Sequence, residues 1–410
     1  MGHSHRPQKT PRILHVALNY PPPLIGGSVV YLNQLLSAVP PERLTVVTVS
    51  KGDREAERKF DRERKHATVR LPLIFTYSTK LRWHERMRFF ATWFRALWRL
   101  IQRGTIDVVT LENIFLLGIP IRLICGLRGT PYVVFVFGEE LSRALLSRNG
   151  VRSHLRYLVY AFVLQGATKI ISVSRFTSEM VLRYGVAPER VTEIYPPTSI
   201  PESLPDDSVI GQFRAKYNLV GKKIIFSAGR LIRRKGHDKL LEAMPKVLAH
   251  VPDAVLIVAG TGPLEAELYQ RSVQLGINDR VCLVGQIDAD ELAALYAMCE
   301  LFVMPNRTLP NGDLEGYGIV FNEASAYGKP VIGGRSGGTA DAILDTVTGF
   351  LVDGNDTDAI ADAIIRVLKD RDLARSLGER GREWLCMERA PQKAAERFLT
   401  VCGSASKNTE

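Results

Sequence analysis

Short apolar runs recur along this chain, and stretches with helical spacing separate them. Residues 12–19, 44–50, 107–111, 131–137 and 169–174 carry such runs in the first half, and 223–229, 254–263, 281–287 and 301–304 in the second. Runs this short, apolar on both faces, suit strands buried inside a parallel sheet. Their alternation with helices is the pattern of a doubly wound α/β sheet. In the second half each run closes on glycine or proline, at what is then the carboxyl edge of the sheet, where ligands of open α/β folds bind.

A chain of 410 residues is too long for one typical core. Prolines gather over residues 194–205 while both periodicities pause, which places a domain boundary there. The expected division is an N-terminal domain over residues 1–197, a C-terminal domain over 198–388 and a frayed tail over 404–410. With 46% hydrophobic residues the chain can bury substantial cores. No apolar run reaches the length of about 18 residues that a membrane-spanning helix needs; the longest, residues 114–125, contains Arg122. The first residues lack the apolar core of a secretory signal and read as a polar tail, so a cytoplasmic location is expected. Cys125, Cys282, Cys299, Cys386 and Cys402 show no paired spacing, which predicts buried thiols in a reducing compartment.

The net charge of +11 is uneven: residues 1–200 carry +15 and the remainder −4. An acidic partner of the N-terminal domain is implied, whether anionic lipid, a phosphorylated acceptor or nucleic acid. Nucleic acid is the least expected, because no recognition motif is present and the aromatic residues fall in apolar stripes. Residues 51–66 are a mixed-charge run that reads as a solvated loop or helix. A helix is predicted over 80–103. Trp83, Met87, Phe90, Phe94, Leu97, Trp98 and Ile101 share one face, expected to cover the sheet, while Arg88, Arg95, Arg99 and Arg103 share another, open to anionic lipid headgroups.

The densest cluster of unusual residues is Asn311-Gly-Asp-Leu-Glu-Gly-Tyr-Gly-Ile-Val-Phe-Asn-Glu-Ala324. Gly316 and Gly318 flank Tyr317 just before a helix, so backbone can approach a ligand and the free N–H groups of the first turn suit a phosphate. Glu315 enters this loop, and Glu323 follows on the helix, where a carboxylate can accept from a ribose diol. Taken alone, the pattern fits an ordinary glycine turn with two surface glutamates of no special role better than it fits a site, roughly two to one. Gly26 and Gly27, between a strand and the amphipathic segment 29–38, likewise suit either a diphosphate contact or a tight turn.

Glu315 and Glu323, inside Glu-Gly-Tyr-Gly-Ile-Val-Phe-Asn-Glu-Ala and followed by Gly-Lys-Pro-Val-Ile-Gly-Gly-Arg-Ser-Gly-Gly, resemble the signature of retaining glycosyltransferases of family 4. The resemblance implies a GT-B architecture, with two Rossmann-like doubly wound parallel-sheet domains facing a cleft and a last helix, about residues 389–403, packed back on the N-terminal domain. It implies a nucleotide-sugar donor on the C-terminal domain and an acceptor on the N-terminal one. Arg230 and Lys235, beside a glycine turn that includes Gly229, match the pair that reaches the donor diphosphate, and with Glu315 they are the expected catalytic residues; Arg233 and Arg234 match nothing. Gly26, Gly27, Gly229, Gly316, Tyr317, Gly318, Ile319, Val320 and Glu323 are the expected donor ligands, with Gly262, Gln286 and Ile287 as candidates for the base pocket.

At Phe137-Gly138-Glu139-Glu140 many family members carry a histidine near the reacting sugar. None stands here, so Gly138, Glu139 and Glu140 are acceptor-side candidates to which the histidine role does not transfer. Asp288-Ala-Asp290 and Asp356-Thr-Asp358 look like a metal motif of the other large glycosyltransferase fold, but both precede helical patterns and are predicted to cap them. No metal and no cofactor are expected. The wording around residues 318–326 and 336–343 is similar to phosphatidylinositol mannosyltransferases, which use GDP-mannose on a lipid acceptor. The implied function is hexose transfer, with mannose the best match, to a lipid-linked or anionic glycan acceptor, on the cytoplasmic face of a membrane. A UDP-sugar transferase of the same family and a nucleotide-sugar epimerase or hydrolase remain as alternatives.

Overall fold

The computed structural model describes residues 10–23, 26–74, 82–102, 104–146 and 151–407. The polar tail before residue 10, the helix limits placed at residues 80 and 103, and the last residues, 408–410, lie outside these. The chain divides into two compact units, one holding residues up to Pro197 and from Pro391 onward, the other Thr198–Ala390.

The N-terminal unit has seven parallel strands: β1 Ile13–Val16, β2 Leu44–Ser50, β3 Ala67–Ile74, β4 Val108–Leu111, β5 Tyr132–Val136, β6 Lys169–Ser172 and β7 Val191–Glu193, in the order β3-β2-β1-β4-β5-β6-β7. Its helices are α1 Gly27–Ser37, α2 Arg54–Arg64, α3 Trp83–Leu100, α4 Ile114–Arg128, α5 Glu139–Leu146, α6 Val151–Gly166 and α7 Arg175–Leu182. In the C-terminal unit α8 Asp207–Lys216 precedes six parallel strands, β8 Lys223–Ala228, β9 Ala254–Ala259, β10 Val281–Gly285, β11 Leu301–Met304, β12 Val331–Gly334 and β13 Gly349–Val352, ordered β10-β9-β8-β11-β12-β13. Helices α9 His237–His250, α10 Glu265–Gln274, α11 Ala289–Met298, α12 Ile319–Ala326, α13 Thr357–Lys369 and α14 Arg371–Glu388 complete that unit, and α15 Pro391–Lys407 belongs to the first. Each unit is therefore a Rossmann-like doubly wound sheet.

The central strands β1, β4, β5, β9 and β11 are buried along their length, and β8 from Ile224 onward, as apolar runs without polar alternation require. Helix starts follow the capping chemistry: Asp53, Asn113, Ser174, Asp288, Asp356 and Asp370 each accept a hydrogen bond from the first turn of their helix. In α15, Phe398 is fully buried with its ring 5.7 Å from Phe135 of β5. That helix continues to Lys407, so residues 404–407 are helical rather than a tail.

Helix α3 corrects the sequence reading. Its buried residues are Phe89, Trp93 and Leu97, spaced by four, with Ile101 just beyond. Trp83 is 77% exposed and Met87 63%, and Phe90, Phe94 and Trp98 are exposed as well. The apolar arc of α3 is wider than its contact with the sheet. The expected stripe is its outer half, and only Leu97 and Ile101 of it are covered.

Candidate functional site

In the C-terminal unit the turns after β8, β9 and β10 are stitched together at the carboxyl edge. The Gly229 N–H donates to the Ala259 carbonyl at 2.9 Å, Leu231 N–H to Thr261 at 2.9 Å and Gly260 N–H to Gly285 at 2.7 Å. Gly229, Gly262 and the Gln286–Ile287 turn thus stand side by side. The chain after β8 turns sharply over Arg233–Lys235 and enters α9 through Gly236, whose φ is +76°. A Cβ on Gly236 would sit 2.0 Å from the Pro305 carbonyl oxygen, so only glycine lets this turn press on the end of β11.

That contact brings two cations to the loop preceding α12. Lys235 Nζ lies 2.5 Å and Arg234 Nη1 2.6 Å from the same Glu315 Oε2, and Arg234 Nε lies 3.3 Å from Asp313 Oδ1. All four side chains are about nine-tenths buried. Burial pushes the Glu315 carboxyl up, but Lys235 and Arg234 outweigh it and hold the group down at about 2. Burial lowers Lys235, with Glu315 pulling the other way. The exposed Arg230 is near enough to lower Lys235 further.

Gly318, at φ +93°, is the N-cap of α12, and a Cβ there would strike the Phe321 ring at 2.7 Å. The left-handed turn starts the helix three residues after Glu315 and leaves the first-turn N–H groups beside the charge cluster. Further along α12, the half-buried Glu323 accepts from the Tyr296 hydroxyl at 2.8 Å. Burial raises the Glu323 carboxyl, opposed by Tyr296 and by Lys235. Lys235 therefore acts electrostatically on both motif glutamates.

Of the expected donor ligands, Tyr317 has its side chain committed elsewhere. Its hydroxyl receives Arg389 Nε at 3.1 Å and lies 3.3 Å from Asn322 Oδ1, while Asn322 Nδ2 donates to Thr198 Oγ1 at 3.2 Å. Only the backbone of Tyr317 is available to a ligand. Sequence reasoning gave Arg234 no role, yet it is buried against Glu315; its basic neighbours on both sides hid it. It also missed Arg307, which binds Asp238 through both guanidinium nitrogens at 2.6 and 3.0 Å and donates its backbone N–H to Arg234 O at 2.8 Å. That bidentate pair fixes the loop after β11 to the start of α9.

In the N-terminal unit Gly26 is the N-cap of α1 and Gly27 its first residue. The carboxyl edge of this sheet gathers polar groups. Glu112, following β4, accepts from the Asn19 N–H at 3.0 Å; Lys51, following β2, donates to Leu18 O at 2.8 Å and Asn19 Oδ1 at 3.1 Å; Glu140, following β5, accepts from Phe137 N–H at 2.7 Å. Burial raises both carboxyls and lowers the lysine. Glu139 sits half-buried beside Glu140. Lys51 and Glu112 were not singled out from sequence, although each is among the first polar residues after an apolar strand run.

Known proteins place this geometry. Residues 26–197 match the family described as glycosyl transferase 4-like domain, and residues 209–384 match glycosyl transferases group 1. A Mycolicibacterium smegmatis protein named GDP-mannose-dependent alpha-(1-6)-phosphatidylinositol monomannoside mannosyltransferase is 39% identical over 53% of this chain and 57% of its own length. The chain thus aligns with little more than half of that relative. A Corynebacterium glutamicum protein, named as the corresponding mannosyltransferase of the monoacylated acceptor, is 28% identical over 95% of this chain and 97% of its own. Among solved structures, Anabaena HepE in complex with UDP superposes with a TM-score of 0.76 at 18% identity, over 96% of this chain and all of the other. Sucrose-phosphate synthase from Thermosynechococcus elongatus gives 0.75 at 23% identity, over 95% and 97% of the two chains. With one glycosyltransferase family covering each of its two Rossmann-like units, the chain belongs to the GT-B glycosyltransferases.

Proposed function

We propose that this chain transfers a mannosyl group from GDP-mannose, with retention of configuration, to a hydroxyl of a lipid-linked acceptor. The observation that carries this reading is the Lys235–Glu315–Arg234 cluster at the start of α12, where two buried cations meet the N-terminal end of the helix. Such a place suits a diphosphate. The choice of GDP-mannose and of a lipid acceptor leans on the names of the Mycolicibacterium and Corynebacterium relatives.

On this reading Lys235, Arg230, the amides of residues 316–320 and Gly27 take the donor diphosphate, Glu323 the ribose and Glu315 the sugar hydroxyls. Gly229, Gly262, Gln286 and Ile287 line the base end, with Gly26 beside Gly27. Gly138, Glu139 and Glu140 contact the acceptor. The donor C1–O bond breaks and the electron pair leaves on the β-phosphate, where preorganised cations and amides stabilise it. The acceptor oxygen bonds to C1 on the same face, and its proton passes to the departing phosphate oxygen. The reaction is proposed to need no metal: Asp288 accepts from Glu291 N–H, and Asp356 from Asp358 and Ala359 N–H, so both Asp-x-Asp segments serve as caps. Among the described residues no helix is long and apolar enough to cross a membrane. A peripheral position on the cytoplasmic membrane face, held by the basic N-terminal unit, fits the acceptor.

The test is calorimetric and thermal-shift titration with GDP, UDP, ADP and their sugar conjugates, on the wild type, Glu323→Ala and Lys235→Ala. GDP and GDP-mannose should stabilise the protein by about 2.7 kcal/mol at a hundred times Kd, and the variants should lose that gain. Preference for UDP would move the donor to a UDP-sugar. No response to any nucleotide would remove the donor site.

A further inference from the structure

Three helices of the N-terminal unit carry exposed apolar stripes. Trp83, Met87, Phe90, Phe94 and Trp98 line α3; Phe115, Ile119, Leu123 and Leu127, spaced by four, line α4; Leu155, Leu158 and Phe162 line α6. Exposure runs from 37% to 77% over these residues. The stripes are joined. Arg128 of α4 lies over the Trp98 ring of α3 at 4.0 Å, Arg122 of α4 over Phe162 of α6 at 3.8 Å, and Arg156 of α6 over Phe115 of α4 at 5.6 Å. One continuous face results, in which guanidinium groups cap aromatic rings. A patch of this size on a soluble surface marks a binding site.

The composition of the same helices selects the occupant. Together α3, α4 and α6 contain eight arginines and a single acidic residue, Glu85, and α4 and α6 contain none. A second copy of the chain meeting this face symmetrically would set arginines against arginines. A bilayer with anionic headgroups meets both halves of the chemistry: the rings and aliphatic chains enter the headgroup–acyl boundary and the arginines pair with phosphate. Tryptophan is suited to that boundary because its ring is apolar and its N–H is polar. We propose that α3, α4 and α6 form a docking face that seats this protein in the surface of an anionic membrane. The proposal deepens the lipid-acceptor reading and rests on it for the occupant. It also moves the contact from the arginine side of one helix to the apolar faces of three.

The experiment uses the full chain with vesicles of phosphatidylcholine plus phosphatidylserine, and of phosphatidylcholine alone, reading co-sedimentation and tryptophan emission. The wild type should bind the anionic vesicles with a blue shift from Trp83 and Trp98, and bind the neutral ones weakly. Leu123→Glu with Leu127→Glu, and separately Phe90→Ser with Phe94→Ser, should each weaken vesicle binding at least tenfold. Arg95→Glu should weaken it by about fivefold or more, the equivalent of about 1 kcal/mol per charge near such a surface. All of these side chains are exposed, so GDP binding measured by calorimetry should be unchanged in every variant. Equal vesicle binding by wild type and variants would overturn the proposal. So would a wild-type dimer in sedimentation velocity that the apolar substitutions dissolve, because a second copy would then own the face. Vesicle binding that persists while no nucleotide binds would leave the docking face standing and remove the transferase reading instead.

Discussion

Replacing Arg234 by methionine removes one of the two cations on Glu315 while keeping most of the side-chain volume. The structure sets the size of the effect. The Glu315 carboxyl is held at about 2, against an ordinary 4.5, although burial alone would raise it. At 1.36 kcal/mol per pH unit this gap corresponds to about 3 kcal/mol of stabilisation above pH 5. Lys235 stays on the same oxygen in the variant, so part of this should survive, giving a loss on the order of 1–2 kcal/mol from Glu315. Asp313 also loses the Arg234 contact, which brings the expected loss to about 2–3 kcal/mol. The sign follows from linkage. A carboxyl depressed in the folded state contributes fully above its unfolded value, and the contribution disappears as pH falls through the folded value. The penalty of Arg234→Met should therefore be flat from pH 7 to about 5 and shrink from there toward pH 2. Urea unfolding across that range measures it. A penalty under about 0.5 kcal/mol at pH 7, as for an ordinary surface site, would refute the reasoning. So would a penalty that stays constant to the acid limit of folding. Arg234→Lys should recover part of the loss, because it restores charge without the forked geometry that reaches both carboxylates.

Trp93→Ala should cost about 3–5 kcal/mol and Trp83→Ala less than about 0.5 kcal/mol, since the first ring is fully buried and the second 77% exposed. Thermal unfolding of the two variants checks which side of α3 meets the sheet. Tyr317→Phe leaves the buried Arg389 and Asn322 each short of a partner and should cost about 1–3 kcal/mol. If Tyr317 touched the donor through its hydroxyl, nucleotide affinity would fall as well, whereas the structure requires that it hold.

The parts of this molecule legible from sequence are those whose physics is local. Central strands are recognisable because burial on both faces writes an unbroken apolar run. β3, β7, β12 and β13 went unnamed: β3, β7 and β13 are sheet edges, where one-sided packing weakens that pattern, and β12 is only two apolar residues followed by two glycines, whereas the edge strand β10 keeps an apolar run and was recognised. Capping by Asp288 and Asp356 is a three-residue event and was foreseen. The turn of α3 was not, because its apolar arc exceeds the width of the contact and helical spacing cannot say which part of the arc is covered. Arg234 differs from Arg233 and Lys235 only by which of three consecutive basic residues the 233–236 turn buries. That is decided by Gly236 meeting Pro305, a contact between residues far apart in the chain. The polar cluster of Lys51, Glu112 and Glu140 is likewise assembled by parallel strand order, which brings together residues from three separate strand ends.

The Glu315 cluster also bears on how a binding site for a diphosphate can exist without its ligand. Two cations buried beside helix N–H groups, with no anion near, would repel each other and pay desolvation with nothing in return. Glu315 supplies the missing negative charge on a single oxygen, Oε2, so Lys235 and Arg234 are held in place before any donor arrives. Arg234 is further tied to Asp313, and its carbonyl to Arg307, which leaves it little freedom to follow a ligand. Lys235 has a long flexible stem and acts on Glu323 as well as Glu315. On the proposed reading Lys235 is thus the cation that turns to the diphosphate, while Arg234 stays and keeps Glu315 ionised as the acceptor of sugar hydroxyls. The charge that grows on the leaving phosphate is then met by a group already positioned within the site, and reorganisation during the reaction is confined to one side chain.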